Sequence, residues 1–199
     1  MTESKASPVS TTALPPSVTV SDVESYPPNV GKVVELGMDL MRQNLPYKYA
    51  SADPANGGMD CSGFIYYVLT KCGVKNVPRD AREQYVWVRK AGNFQAVLAH
   101  RDDTFELDAL RPGDLLFWTN NSGVNRDPEI TQTMIYIGRD KATNQRLMIG
   151  ASEHSTYNSE KKSGVGVFDF KLGSTEPKSD EEATSVFVGY GHVPDSSGD

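Results

Sequence analysis

The chain has 199 residues and a formal net charge of −6 at pH 7, which gives length for one well-cored domain and argues against partners held through nucleic-acid phosphates or an anionic membrane surface. No apolar run approaches the roughly 20 residues of a membrane-spanning helix, and the N-terminus lacks the basic start and apolar stretch of a signal peptide. The 2 cysteines, Cys61 and Cys72, fall on one predicted helix, too far apart along its axis for the Cα separation of at most about 7 Å that a disulfide requires, so they are not expected to pair.

Residues 1–28 are rich in Ser, Thr, Pro and Val, and Pro15-Pro16 and Pro27-Pro28 interrupt any regular period; they read as a mobile tail or linker, with the folded domain over 29–195. Val30, Val33, Val34, Met38 and Met41 recur at helical spacing and predict a first helix to about Gln43, ended by Pro46. A tyrosine-bearing loop, Tyr47 to Gly58, then leads into a second helix whose apolar stripe is Phe64, Ile65, Val68, Leu69 and Cys72, with Asp60 as its N-cap and Gly73 as its stop. Pro78-Arg79-Asp80 opens a third helix, Ala81 to Lys90.

The second half of the chain changes period. The turn Leu110-Arg111-Pro112-Gly113-Asp114 precedes the buried strand Leu115-Leu116-Phe117-Trp118, and a polar loop from Thr119 to Glu129 leads to a strand over Ile130 to Gly138. Arg146 to Ser152, Gly164 to Phe170 and Ser185 to Val193 supply three more strands, while Lys171 to Ala183, charged and containing Pro177, reads as an exposed loop. Helices followed by an antiparallel meander predict an α+β fold with the cysteine helix packed on the sheet.

Cys61 is the candidate for chemistry. In the first turn of a helix, free N–H groups and the positive end of the helix dipole favour a thiolate, which is the nucleophilic form. A lone cysteine is otherwise a small buried hydrophobe; the polar Ser62 and flexible Gly63 that follow, and the tyrosine loop that precedes, favour a nucleophile-type site.

Five motifs then occur in order: Pro46-Tyr47-Lys48-Tyr49, Asp60-Cys61-Ser62-Gly63-Phe64, Pro78-Arg79-Asp80-Ala81-Arg82-Glu83-Gln84, Leu110-Arg111-Pro112-Gly113-Asp114-Leu115-Leu116-Phe117, and Met134-Ile135-Tyr136-Ile137-Gly138. Together they resemble the NlpC-type family of papain-like cysteine peptidases, over about Val30 to Pro194. The resemblance implies a papain-like α+β fold and a bacterial cell-wall hydrolase of peptidoglycan stem peptides, cutting commonly between γ-D-glutamate and a diamino acid. It implies export to the periplasm or wall; no cofactor is expected, no His, Cys, Asp and Glu cluster has metal-ligand spacing, so no metal is expected either, and a monomer is the default expectation. By position it makes Cys61 the nucleophile, Tyr47 a donor to the oxyanion beside the Cys61 N–H, and Ser62 part of the cleft.

The chain departs from the family pattern at two places. Gln132 stands where the resemblance expects the catalytic histidine, and Gly150 where it expects the third polar residue. A glutamine amide does not titrate near neutral pH and cannot be a general base, a role typically worth about 10² to 10⁴ in rate. Weak or absent hydrolysis is therefore expected unless another base reaches Cys61, with His154 the candidate; His100 and His192 read as solvated or structural. Arg79 and Arg82 read as capping or solvated, Asp114 as a turn residue, and Trp87 and Trp118 as core. The alternative to a hydrolase is a non-catalytic domain that keeps the cleft and recognises wall peptides without cutting them.

Overall fold

The computed structural model describes residues 18–120, 129–172 and 185–195. Three helices form where the sequence punctuates them: α1 (Pro28–Arg42), α2 (Cys61–Lys71) and α3 (Ala81–Lys90). Pro28 opens α1, because a first-turn proline gives up only an N–H that has no helical partner. Asp60 and Asp80 are the N-caps of α2 and α3, each in extended conformation with its carboxylate accepting first-turn N–H groups. The tyrosine loop is irregular as expected, with one 3₁₀ turn at Pro54–Asn56.

Six strands follow: β1 (Phe94–Ala96), β2 (Leu115–Thr119), β3 (Gln132–Arg139), β4 (Arg146–Tyr157), β5 (Glu160–Asp169) and β6 (Val186–Gly191). They form one sheet in the order β1-β6-β2-β3-β4-β5, antiparallel at every junction. Period-two alternation sorts the side chains onto two faces. Leu115, Phe117, Ile135, Ile137, Ile149 and Val167 pack with Phe64, Ile65 and Val68 of α2 and Val33 and Val34 of α1. Leu116, Trp118, Met134, Tyr136, Met148 and Phe168 face the other way, onto Val97, Leu107, Phe170 and Leu172. The molecule is thus an α+β structure with helices on one face of an antiparallel sheet.

Four features differ from the sequence-based expectation. Strand β1 pairs with β6 but is three residues long and largely exposed, so it carries no apolar alternation. Strands β4 and β5 run past the core as a polar hairpin, turned at Asn158 and Ser159, both at positive φ. Residues 18–27, assigned to the tail, are held to the sheet: Val20 bridges to Asp140 and is buried, and the Tyr26 hydroxyl donates to the Ile137 carbonyl at 2.8 Å. Leu172, in the segment expected to be an exposed loop, is buried, and its N–H donates to Asp102 Oδ1 at 3.0 Å. Lys171 is exposed, and residues 173–183 lie outside the described residues, as do 1–17 and most of the loop from Thr119 to Glu129.

Candidate active site

Cys61 is the first residue of α2, so its position follows from how that helix starts. The Asp60 carboxylate accepts the Gly63 N–H at 2.6 Å and the Ser62 hydroxyl at 3.3 Å. Arg79 closes on the same carboxylate from two sides, Nη2 to Oδ2 at 2.7 Å and Nη1 to Oδ1 at 3.1 Å, and Nη1 also reaches Ser62 Oγ at 2.9 Å. Arg79 therefore serves the cap, and Ser62 is turned into that network. Gln84, fully buried, donates its amide to the Ser62 and Pro78 carbonyls and ties α3 to the same turn.

The tyrosine loop is stapled across this helix start. Lys48 N–H donates to the Met59 carbonyl, Met59 N–H to Pro46, and Asp60 N–H to Ser51, at 3.0, 3.2 and 2.9 Å. The chain passes so close to α2 that a Cβ on Gly63 would overlap the Ser51 carbonyl, which accounts for glycine there. Tyr47 is thereby bridged to Met59, two residues ahead of Cys61. Burial first, then the charges of Cys61, Asp60, Glu153 and Tyr49, push its phenol up to about 12, so it stays a neutral O–H donor across the physiological range.

The thiol sits against strand β3, with Cys61 Sγ 4.0 Å from the Thr131 carbonyl oxygen. Burial pushes its pKa up; the Thr133 N–H and the N–H groups of the first helical turn oppose the rise, and the Asp60 carboxylate adds to it. The sequence pointed to a thiolate at the helix start. At 8% exposure, desolvation of the charged form outweighs the helix end.

The registered β3–β4 pairs run from Arg139↔Arg146 to Ile135↔Ile149. Gln132 lies beyond the last pair, at the start of β3, and its Nε2 makes a long contact of 3.4 Å with Ser152 Oγ on β4. Ser152 also accepts the His154 N–H at 3.2 Å and meets Ser155 Oγ at 2.7 Å. Gly150 lies against Met134: a Cβ there would overlap Met134 Sδ. His154 is exposed, in the irregular stretch where the β4–β5 register shifts between Ser152 and Ser155. His192 is far from these residues along the sheet, near the end of β6, paired through Nδ1 with the buried Asp114 carboxylate. That carboxylate also takes the Arg111 N–H at 2.9 Å and closes the turn before β2, while His100 is exposed. No group of three or more His, Cys, Asp or Glu among the described residues could hold a metal ion.

A profile of the NlpC/P60 family matches residues 44–165, from the tyrosine loop through the cysteine helix to β5. The chain belongs to the NlpC/P60 family. Two relatives from Escherichia coli strain K12 are similar to this NlpC/P60 chain: murein DD-endopeptidase MepH, 26% identical over 120 residues, 59% of this chain and 38% of that protein, and probable endopeptidase YafL, 32% identical over 88 residues, 43% and 30% respectively. The chain thus spans less than two fifths of the length of either relative. With the family placed, the sheet and helices are those of a papain-like NlpC/P60 fold. No helix among the described residues is long and apolar enough to cross a membrane.

Ser152 was missed from the sequence because pairing across a hairpin depends on register, which a single strand does not reveal.

Proposed function

We propose that this chain is a slow, cysteine-type hydrolase domain for peptidoglycan stem peptides, with Cys61 as nucleophile and the Cys61 N–H and Tyr47 hydroxyl as donors to the oxyanion. The observation that carries this reading is the assembly around the start of α2: a thiol at the first helical residue, with the tyrosine loop stapled to the chain just ahead of it and a Tyr47 phenol, held neutral, that feels the charge of Cys61. Family membership and the name of one relative, a murein DD-endopeptidase, support peptidoglycan as the substrate class, and an exported location follows from a substrate in the wall. The bond we assign is that between γ-D-glutamate and a diamino acid, by resemblance to the family.

In this reading the thiol gives its proton to solvent and the thiolate attacks the scissile carbonyl, the two donors hold the tetrahedral oxyanion, and its collapse breaks the C–N bond, expelling an amine that takes a proton from water and leaving an acyl-thioester that water then hydrolyses. Gln132 can take no proton from Cys61 and give none to the amine. Slow turnover follows from that loss and from the raised thiol.

A second reading, a cleft that recognises stem peptides without cutting them, is favoured by the same glutamine, bound to Ser152 at the place of a base. Digestion of purified stem peptides and of whole peptidoglycan, followed by mass spectrometry beside Cys61→Ala, separates the two. Product that disappears in the alanine variant supports the hydrolase; binding with no product from either chain replaces it with the recognition domain.

A further inference from the structure

The third place of this site is occupied, although not at the position where the family's spacing puts it. Carrying the β3–β4 register on from Ile135↔Ile149 sets Met134 opposite Gly150, Thr133 opposite Ala151 and Gln132 opposite Ser152. Met134 and Gly150 are then complementary in volume, since the methionine sulfur fills the space a side chain at 150 would need. Two residues along the same face, Ser152 Oγ meets the Gln132 amide at 3.4 Å. Ser152 is itself held: it is only 5% exposed, its oxygen accepts the His154 N–H at 3.2 Å, and Ser155 Oγ lies 2.7 Å away. The register shift in β4–β5 between Ser152 and Ser155 brings that N–H and that hydroxyl onto one oxygen.

We propose that Ser152, backed by Ser155 and the His154 N–H, is the positioning residue for the side chain at 132, so that the third place has moved from 150 to 152. The proposal rests on the reading of position 132 as the general-base position. Ser152 Oγ takes the Ser155 hydroxyl and the His154 N–H and stands 3.4 Å from the distal nitrogen at 132, as its acceptor. With Gln132 the arrangement fixes an amide. With Gln132→His it would accept one imidazole N–H and leave the other nitrogen unprotonated, free to take the Cys61 proton if position 132 is the general-base position. The S–H bond then breaks as an N–H bond forms, giving a thiolate and an imidazolium with no other reactant. Restoring the base would need no change at Gly150.

The test uses the full chain and iodoacetamide, which the thiolate attacks at carbon with loss of iodide, read at Cys61 and Cys72 by peptide mass spectrometry from pH 5 to 10. In Gln132→His, Cys61 should gain a reactive limb below pH 8, and its rate at pH 7 should rise about tenfold or more while Cys72 is unchanged. Adding Ser152→Ala should remove about three- to tenfold of that gain, and Ser152→Thr should keep it. Nitrogen-15 NMR of the introduced imidazole with Ser152 intact gives a second readout: one tautomer should dominate. A ring that exchanges freely between tautomers, no new limb in Gln132→His, or a profile indifferent to Ser152→Ala overturns the proposal. Neither readout involves a stem peptide. The expected alkylation and tautomer with no stem peptide cut therefore uphold the role of Ser152 and remove the hydrolase reading alone.

Discussion

Cys61 shows how two opposite influences on one group are decided by geometry. The N-terminus of a helix usually lowers a thiol pKa, but the effect is that of a partial charge, whereas a thiol 8% exposed beside a carboxylate loses most of the solvation a thiolate needs. In the unaltered chain, alkylation of Cys61 by iodoacetamide should therefore be no faster than that of the more exposed Cys72 at pH 7, and should climb only above about pH 9; peptide mass spectrometry of partially alkylated protein reads both rates. Tyr47 carries a complementary expectation. As an oxyanion donor its removal in Tyr47→Phe should lower stem-peptide turnover by about 10² to 10³ with little change in KM. Its phenol is also one of two pushed up to about 12, the other being Tyr26, so absorbance titration at alkaline pH should lose one late-ionising tyrosine in that variant.

Among the elements, α2 depends on the two neighbours of its first turn. The Asp60 carboxylate is nearly buried and doubly bound by Arg79, so Arg79→Ala leaves it uncompensated. Because the guanidinium is 37% exposed, solvent screens part of the loss, and a cost of about 1 to 2 kcal/mol in urea unfolding is expected. Arg79→Lys should recover only part, since an ammonium cannot make the paired contact. Gly63→Ala should cost about 1 to 3 kcal/mol, because the added carbon meets the rigid Ser51 backbone and not a mobile side chain. This turn is also where the sequence was most informative. Asp60, Asp80, Pro28 and the apolar stripe of α2 are local signals, and α3 begins and ends at the expected residues, Ala81 and Lys90. Strand β1 and the outer hairpin of β4 and β5 carried no such signal, because strands that stand clear of the core need no alternation. The partnership of Gln132 with Ser152 was invisible for a different reason: it exists only once two strands are in register.

At the level of the whole molecule, buried acids of high pKa dominate the pH response. Burial raises Tyr26, Tyr47, Tyr136, Tyr157 and Tyr190, and it raises Cys61 and Cys72. Each is protonated in the fold at pH values where the unfolded chain has released its proton. Their contribution is therefore complete below the unfolded values, about 9 for the thiols and 10 for the phenols, and is lost as pH rises through the folded ones. Stability measured by urea unfolding should decline steadily from about pH 9 upward, and Tyr26→Phe, which also gives up the bond to the Ile137 carbonyl, should cost about 1 kcal/mol at neutral pH. The segment that carries Tyr26 was hidden by composition, since prolines and hydroxyl residues read as a tail whether or not a few of them find a sheet to rest on.

That segment also marks the end of the sheet remote from Cys61. Residues 18–21 lie along the turn between β3 and β4, with the Ser21 N–H on the Arg139 carbonyl and the Lys141 N–H on Thr19, while Gln132 and Cys61 stand at the other end of β3. At about 3.3 Å per residue the strand separates the two ends by roughly 23 Å. Val18, the first described residue, therefore lies at the end of the sheet opposite Cys61 and Gln132.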